Sequence, residues 1–249
     1  MKIDGNTVLI TGGATGIGLA LAQELVQAGN EVIVCGRREN KLAEAKGKLT
    51  QIHTRVCDVS KDKDRRELIT WARSNFPNLN LLVNNAGIQR MLDLTKGIEA
   101  LAGEDEIEIN LKAGVHLSAL LIPFFLEKKE AAIINVSSGL GFIPLAIMPV
   151  YCATKAALHS FSISLRHQLR NTPIRVFEII PPMVDTELDR GGRDRRGQEY
   201  RGIPPGEVAR AVISALERND FEVAVGMAEN LRAGSRTNPE QAFQNMNKR

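Results

Sequence analysis

The chain has 249 residues, of which 43% are hydrophobic, and its formal net charge at pH 7 is +3. This size and apolar content are enough for one substantial hydrophobic core. So small a net charge does not indicate a nucleic-acid-binding protein, because such proteins present a strongly basic surface. No run of about 18 consecutive apolar residues occurs, so the sequence predicts no membrane-spanning helix.

Cysteine and histidine usage predicts neither a disulfide framework nor a metal site. The three cysteines, Cys35, Cys57 and Cys152, are odd in number and form no Cys-x-x-Cys pair, as is typical of proteins in a reducing compartment. The four histidines show no metal-ligand spacing with cysteines or carboxylates. Residues 1–5 lead almost directly into a predicted strand and leave no room for a signal peptide, so we expect a cytoplasmic protein.

Short strand-like runs alternate with longer helical patterns along the chain. Several runs are apolar almost throughout, as in strands covered on both faces. This alternation predicts βαβ units and a parallel sheet with helices on both faces, in a single α/β domain over residues 1–249. The predicted strands are Thr7–Thr11, Glu31–Cys35, Ile52–Cys57, Leu79–Asn84, Ala132–Ser137, Ile174–Ile180 and Phe221–Val225. The predicted helices lie near 16–29, 39–49, 61–76, 98–127, 151–171 and 204–218.

The least regular segment, residues 185–203, is rich in glycine, arginine and aspartate. It predicts an exposed, mobile loop that covers the substrate, followed by a helix start at Pro204-Pro205. Its cationic side chains either attract an anionic substrate or simply keep the loop solvated. These side chains are Arg190, Arg193, Arg195 and Arg196.

The first predicted strand runs into a glycine-rich turn at residues 11–18, TGGATGIG. Glycine lets the backbone turn tightly and approach a ligand closely. The start of the following helix offers unpaired N–H groups and a partial positive charge, which suit a pyrophosphate. The turn therefore predicts a dinucleotide site. Its G-x3-G-x-G spacing differs from the dehydrogenase G-x-G-x-x-G, and an ordinary tight turn is the alternative.

Two arginines follow the second predicted strand, at a position where NAD sites usually carry a carboxylate. A carboxylate there would repel a 2′-phosphate, whereas arginine binds phosphate in bidentate fashion. Arg37 and Arg38 therefore predict NADP(H) rather than NAD(H). The alternative is that both arginines only solvate the start of the next helix.

Tyr151 and Lys155 are four residues apart at the start of a predicted helix and so share one face. A phenol has a pKa near ~10 in water, and a nearby ammonium group lowers that pKa, so the pair suits proton transfer. The spacing alone also fits a surface helical pair. Asn110, which needs a hydrogen-bond partner on an apolar helix face, and a hydroxyl from Ser137 or Ser138 favour an acid/base site at the carboxyl edge of the sheet.

These motifs together resemble the short-chain dehydrogenase/reductase family, over approximately residues 5–190. The resemblance implies a Rossmann-type doubly wound sheet of seven strands, in the order 3-2-1-4-5-6-7. It also implies an oxidoreductase that transfers a hydride between NADP(H) and a small carbonyl or alcohol substrate. The matching motifs are TGGATGIG at 11–18, Asp58-Val59, Asn84-Asn85-Ala86-Gly87, Asn110, Ser138 and Tyr151-x3-Lys155.

The resemblance gives each catalytic position a role. Ser138, thirteen residues before Tyr151, would bind the substrate oxygen, with Ser137 as the alternative serine. Tyr151 would donate or accept the proton. Lys155 would lower the tyrosine pKa and bind the nicotinamide ribose, and Asn110 would hold a water that links Lys155 to solvent.

The resemblance also implies cofactor contacts, with phosphates near the glycine turn and adenine near Asp58. Thr15 weakens the NADP(H) prediction, because many NADP-binding relatives carry a basic residue there. Pro182 replaces the glycine of the family's Pro-Gly-x-Val-x-Thr pattern and predicts a stiffer turn. The full set is Gly12, Thr15, Ile17, Gly18, Arg37, Arg38, Asp58, Val59, Asn85, Ala86, Gly87, Tyr151, Lys155, Pro181, Val184 and Thr186.

The segment between the serines and the tyrosine, residues 139–150, is strongly apolar. It either lines an apolar substrate pocket or packs against its own domain or a subunit. Gln89 and Arg90 are further residues that could face the site. In this family the helices near 98–127 and 151–171 pair between subunits, so the resemblance implies a homodimer or homotetramer.

The double proline at 181–182 and the C-terminal tail look like a bacterial subgroup of the family. That subgroup includes the oxidoreductase encoded with the genes for lipoteichoic acid D-alanylation, and this likeness does not assign a substrate. Two other functions are compatible with parts of the pattern. One is a non-catalytic NADP(H)-binding regulator, which would not need the Ser138, Tyr151 and Lys155 set. The other is a relative that catalyses epimerisation or dehydration.

Overall fold

The computed structural model describes residues 1–189, 194, 197 and 202–248. Seven parallel strands form one sheet in the order β3-β2-β1-β4-β5-β6-β7, which confirms the predicted topology. The strands are β1 (Thr7–Thr11), β2 (Glu31–Gly36), β3 (His53–Val56), β4 (Leu79–Asn84), β5 (Ala131–Val136), β6 (Ile174–Ile180) and β7 (Glu222–Ala224).

Helices cover both faces of the sheet. Side chains alternate between the two faces along each strand. Val8 and Ile10 of β1 therefore pack with α1, α2 and α6, whereas Leu9 packs on the opposite face with α3, α4 and α5. The helices are α1 (Gly16–Gln27), α2 (Glu39–Lys48), α3 (Asp62–Asn75), α4 (Ala113–Phe125), α5 (Pro149–Gln168), α6 (Pro205–Arg218), α7 (Met227–Thr237) and α8 (Pro239–Met246).

The prediction of one continuous helix near 98–127 is wrong. The chain instead forms a 3-10 segment at Leu94–Leu101, a π-helical turn at Glu108–Lys112, and then α4. Gly97 breaks the first segment because its φ of +68° lies in the left-handed region. The π-helical turn carries Asn110, and turns of this kind are frequent at functional sites.

Two C-terminal helices, α7 and α8, were not predicted. They close over the segment that follows β5. A side chain added at Gly139 would come within 2.9 Å of Leu231 in α7. Beyond α8, the Asn247 side chain accepts from the Ala146 N–H at 2.7 Å and donates to the Pro144 carbonyl at 3.0 Å. The apolar segment 139–150 therefore packs, at least in part, against the chain's own tail.

The two ends of the predicted lid segment are tied together. Val184 and Ile203 form an isolated parallel bridge. The Asp185 N–H donates to the Ile203 carbonyl at 2.9 Å, and the Ile203 N–H donates to the Met183 carbonyl at 3.0 Å. α6 then begins at Pro205, as predicted. The four arginines of the predicted lid, Arg190, Arg193, Arg195 and Arg196, lie outside the described residues.

Candidate active site

All the strands are parallel, so their carboxyl ends meet at one edge of the sheet. The order reverses between β1 and β4, and open α/β sheets bind ligands in the crevice at such a point. The segments that follow β1, β2, β3, β4, β5 and β6 carry most of the predicted site residues to this edge. The remaining ones, Asn110, Tyr151 and Lys155, come from the π-helical turn and α5.

The glycine turn after β1 forms a tight cradle. Gly12 has a φ of +63°, and a Cβ there would lie 2.9 Å from the Ala86 Cα. A Cβ at Gly18 would lie 2.5 Å from the Gly12 carbonyl oxygen. No side chain caps the N-terminus of α1, where Thr15 is the N-cap residue, and its first turn carries no acidic residue. Such a terminus attracts anions, so the cradle fits a dinucleotide pyrophosphate.

Asn85 fixes the neighbouring turn to β1. Its side-chain amide donates to the carbonyls of Thr11 at 2.9 Å and Gly12 at 3.2 Å. The Thr11 hydroxyl accepts from the N–H groups of Asn85 at 3.0 Å and Ala86 at 3.1 Å. Both amide hydrogens of Asn85 are thus used within the protein, and only its Oδ1 is left to contact a ligand.

Both predicted arginines lie at this edge, and both are ion-paired. Arg38 contacts Thr15 of the glycine turn at 3.4 Å and pairs with Glu187 at 2.9 Å. Arg37 pairs with Glu104. Neither glutamate could be matched to its arginine from the sequence, because the partners are far apart along the chain.

The predicted adenine side lies in the turn after β3. The Asp58 side chain accepts from the N–H of Ser60 at 3.1 Å and from its hydroxyl at 2.8 Å. Burial raises the pKa of Asp58, but these two hydrogen bonds, with Lys61 and Arg37, lower it overall. The Val59 carbonyl accepts from the buried Arg65 at 2.6 Å, which holds this turn against α3.

Residues after β6 approach the glycine turn from the other side. A Cβ at Gly16 would lie 2.9 Å from Thr186 Cγ2, so these two segments touch. The Pro181 carbonyl accepts from the Gly139 N–H at 3.0 Å, which joins the ends of β5 and β6. Val184 is buried. Thr186, one of the predicted cofactor contacts, thus lies beside the cradle. Ile17, in the first turn of α1, is only partly buried.

Tyr151 and Lys155 lie on one face of α5, and each side chain is only 5% exposed. The Lys155 ammonium donates to the Val136 carbonyl at 2.8 Å and lies 5.7 Å from the centre of the Tyr151 ring. Burial lowers the pKa of Lys155 to about 8, although Glu178 opposes the shift. A lysine that loses its proton near neutral pH suits proton transfer.

The two serines after β5 have different surroundings. Ser137 points to the buried side, and its hydroxyl donates to Glu178 Oε1 at 2.5 Å. Ser138 begins the next turn, and its Oγ accepts from the Leu140 N–H at 3.1 Å. That bond does not use the Ser138 hydroxyl proton. Ser137 is committed to a buried carboxylate, which favours Ser138 as the residue that binds a substrate oxygen.

Asn110 finds its partners in the turn after β4. Its Oδ1 accepts from the Ile88 N–H at 2.8 Å, and its amide donates to the Ile88 carbonyl at 2.9 Å and to Thr154 at 3.2 Å. A Cβ at Gly87 would lie 3.3 Å from Asn110 Oδ1 and 3.8 Å from Lys155 Nζ. Gly87 therefore lies close to both groups.

Replacing Asn110 with alanine is expected to lower the free energy of unfolding by about 2–3 kcal/mol, because it leaves buried partners unsatisfied. Urea denaturation of wild type and Asn110→Ala measures this difference. The matched control is Asn75→Ala, which removes an exposed side chain bonded only to Trp71. Equal stability of the two variants would contradict a structural role for Asn110.

Arg90 and Gln89 are held within the protein. The Arg90 guanidinium donates to backbone carbonyls of the segment 100–104, including Glu104 at 2.9 Å. Its N–H donates to the buried Glu106 at 3.0 Å. Gln89 contacts Met148 at 2.5 Å, beside the Tyr151 helix. Of the two, Gln89 is the one that lies near the start of α5, the helix that carries Tyr151 and Lys155.

Two buried glutamates near the site were not predicted. Glu106 is 2% exposed and Glu178 is fully buried. Glu178 had a readable signal, because it is the one acidic residue in the apolar strand sequence 174–180. Glu106 had none, because it lies among other acidic residues that are exposed.

Comparison with known proteins decides the family. The family model described as short chain dehydrogenase matches residues 6–197. The chain belongs to the short-chain dehydrogenase family. It is therefore an oxidoreductase. Among the described residues, no helix of this short-chain dehydrogenase is both long and apolar enough to cross a bilayer.

This short-chain dehydrogenase is 53% identical to the uncharacterized oxidoreductase DltE of Bacillus subtilis (strain 168), over 99% of this chain and 98% of the relative. That similarity confirms the predicted subgroup. A serine dehydrogenase solved in complex with NADP+ is 30% identical, with a TM-score of 0.78, covering 87% of this chain and 92% of that one. A short-chain dehydrogenase from Burkholderia phymatum, in complex with NAD, shares the fold at 22% identity, with a TM-score of 0.86 and coverage of 100% and 97%.

Proposed function

We propose that this protein is an NADP(H)-dependent oxidoreductase that interconverts a carbonyl and an alcohol. One observation carries the proposal: a buried ammonium, Lys155, and a buried phenol, Tyr151, share a helix face at the carboxyl edge of the sheet. The glycine cradle lies at the same edge. Acid/base groups and a dinucleotide site in one crevice are what carbonyl reduction needs.

In reduction, Ser138 donates a hydrogen bond to the carbonyl oxygen, and Tyr151 gives that oxygen the proton of its hydroxyl. A bound nicotinamide supplies the hydride, or accepts it in the reverse direction. Lys155 stabilises the phenolate that Tyr151 becomes. Asn110 holds a water through which Lys155 exchanges protons with solvent. In oxidation, the Tyr151 phenolate takes the proton from the alcohol.

We assign the remaining predicted positions to cofactor binding. Pyrophosphate binds at the start of α1, adenine binds beside the turn after β3, and the carboxamide binds to the segment after β6. These roles fall to Gly12, Ile17, Gly18, Asp58, Val59, Asn85, Ala86, Gly87, Pro181, Val184 and Thr186.

NADP(H) is the cofactor we favour, because Arg38 lies against Thr15 of the glycine turn. Arg37 follows it at the same edge, and the end of β2 itself carries no acidic residue. A 2′-phosphate would replace Glu187 or Glu104 as the partner of these arginines. The serine dehydrogenase with 30% identity binds NADP+. The relative with NAD has only 22% identity, and so informs on the fold alone.

Arg38→Ala is expected to weaken NADPH binding by about 10–100-fold, because it removes a charge-assisted contact to phosphate. NADH has no 2′-phosphate, so its affinity should change less than about threefold. Titration of protein fluorescence or calorimetry with each cofactor measures both effects. Arg37→Ala should act in the same direction.

The control for this experiment is Arg55→Ala, which removes an equal charge from β3, where Arg55 stacks on Trp71 at 5.0 Å. Its cofactor affinities should equal those of wild type. The NADP(H) proposal fails if wild type binds NADH as tightly as NADPH, or if Arg38→Ala weakens both equally. The reaction itself is tested by a panel of carbonyls and alcohols followed by NADPH absorbance.

We further propose a cytoplasmic homodimer or homotetramer. Cys35, Cys57 and Cys152 are all free thiols, which suits a reducing compartment. Apolar side chains exposed near α4 and α5, such as Ile107 and Ile163, suit burial between subunits. The mass in solution, measured by light scattering, distinguishes these states from a monomer.

A further inference from the structure

A fully buried carboxylate lies near the face of α5 that carries Tyr151 and Lys155. Glu178, in the middle of β6, has no solvent exposure. Its Oε1 accepts from the Ser137 hydroxyl at 2.5 Å, and its Oε2 lies 2.7 Å from His159 Nδ1. A buried carboxylate stays ionised only when donors and positive charge surround it. Ser137 and His159 supply two donors, and the positive charge must come from a nearby cation.

The second carboxylate of this region has its own counter-charges. Glu222, on β7, is the register neighbour of Glu178. It pairs with Arg232 of α7 at 3.0 Å, and Arg236 lies 3.8 Å away. The donor atoms of His159, Glu178 and Glu222 lie within 4.8 Å of one another, but the arginines already balance Glu222. Glu178 instead faces His159, which carries a charge only when protonated, and the cations of α5.

Two cations of α5 face Glu178. Arg166 is half-buried and donates to the backbone carbonyls of Val176 at 2.8 Å and Phe221 at 2.6 Å, so it is not bonded to the carboxylate itself. Lys155 lies one helical turn before His159, and its ammonium donates to the Val136 carbonyl at 2.8 Å. The next residue, Ser137, donates its hydroxyl to Glu178, so the ammonium and the carboxylate contact consecutive residues of the chain. Burial lowers the pKa of Lys155, and the charge of Glu178 is the influence that raises it.

We propose that Glu178 is a positioning residue: held by Ser137 and His159, its buried carboxylate supplies the counter-charge that keeps Lys155 an ammonium ion behind Tyr151. Glu178 touches no substrate or cofactor in this proposal and acts only through Lys155. The electrostatic effect of Glu178 on Lys155 does not depend on the reaction that the protein catalyses. Its consequence for catalysis rests on the function proposed above for Lys155 and Tyr151.

The direct test measures the ionisation of Lys155 without cofactor or substrate. Protein labelled with 13C-lysine is titrated by NMR, and Lys155 is assigned as the resonance missing from Lys155→Met. In wild type the midpoint is expected at about 8. In Glu178→Gln the midpoint should fall by ~1 pH unit, because the opposite charge is gone while the burial remains. Glu178→Asp, which keeps the charge, should restore most of the shift.

The matched control is Glu222→Gln, which removes the neighbouring carboxylate and should leave the Lys155 midpoint unchanged. Glu178→Gln also removes a negative charge that acts on Arg166, so folding is verified by thermal melting. The double variant Glu178→Gln/Arg166→Met removes both charges. Its Lys155 midpoint is compared with that of Arg166→Met alone. An unchanged or raised Lys155 midpoint in Glu178→Gln relative to wild type, or in the double variant relative to Arg166→Met, overturns the proposal.

The catalytic consequence is measured separately. In wild type, turnover should fall at high pH as Lys155 loses its proton. This high-pH limb of the pH–rate profile should move by the same ~1 pH unit to lower pH in Glu178→Gln. A purely structural role would lower the rate at every pH without moving the limb. If the NMR midpoint moves but the limb does not, the charge relation holds and the proposed role of Lys155 in turnover is wrong.

Discussion

Tyr151→Phe is expected to reduce turnover by about 10²–10⁴-fold, the usual contribution of a positioned general acid. The substitution removes only the hydroxyl, and the buried ring keeps its packing with Met148 and Cys152. NADPH affinity should therefore stay within about threefold of wild type, since no charge at the cofactor site changes. The measurements are kcat on the best carbonyl of the panel and calorimetric titration with NADPH.

The control for this prediction is Ser160→Ala, which removes an exposed hydroxyl from the same helix. Its kcat should equal that of wild type. Turnover of Tyr151→Phe within a few fold of wild type would remove Tyr151 from the proton transfer. A loss of cofactor binding as large as the loss of turnover would instead assign it a binding role.

Lys155→Met is expected to lose most of the activity and yet to stabilise the protein. At pH 7 the desolvation of the buried Lys155 ammonium outweighs its attraction to Glu178, as the lowered pKa shows. A methionine bears no such cost, so the free energy of unfolding should rise by about 1–3 kcal/mol. The activity should fall by at least about 10²-fold, because the Tyr151 phenolate loses the ammonium that we propose stabilises it. Functional sites commonly show this opposition between stability and activity.

The pH dependence gives this prediction a second test. The folded pKa of Lys155 is about 8, below the ordinary value of 10.5. Between these values the unfolded chain binds more protons than the folded one, so wild-type stability gains from this group as pH rises from about 8 to 10.5. Below about 8 both states are protonated and the cost is constant. The advantage of Lys155→Met should therefore be largest at pH 7 and shrink above pH 8.

Chemical denaturation at pH 7, 8 and 9.5 measures that trend. Lys63→Met, the same change at an exposed lysine of α3 that is 83% exposed, is the matched control and should show no such pH dependence. A Lys155→Met variant less stable than wild type at pH 7 would show that the ammonium is already well compensated. That result would mean that the attraction of Glu178 outweighs the desolvation of the Lys155 ammonium.

Most of the sheet could be predicted because each strand is a short apolar run between turns. β1, for example, is buried at every residue, and burial on both faces leaves a plain signal in the sequence. Tyr151 and Lys155 could be placed on one face for a similarly local reason, since helical spacing decides it. Features that depend on local geometry were therefore readable.

Features that depend on distant contacts were not readable. The π-helical turn at Asn110 follows from its bonds to Ile88 and Thr154, which no periodicity reveals. The partners of Arg37 and Arg38 are Glu104 and Glu187, brought together only by the fold. The C-terminal helices were missed because their apolar residues are few and, apart from Ala228, are not buried.

The bridge between Val184 and Ile203 has an evolutionary consequence. It closes the chain before the intervening residues begin, so β6 and α6 stay joined whatever sequence connects them. Closure entropy grows slowly with length, at about 0.6 kcal/mol per doubling. The connecting segment can therefore be lengthened, shortened or exchanged between relatives with little cost to the nucleotide-binding half.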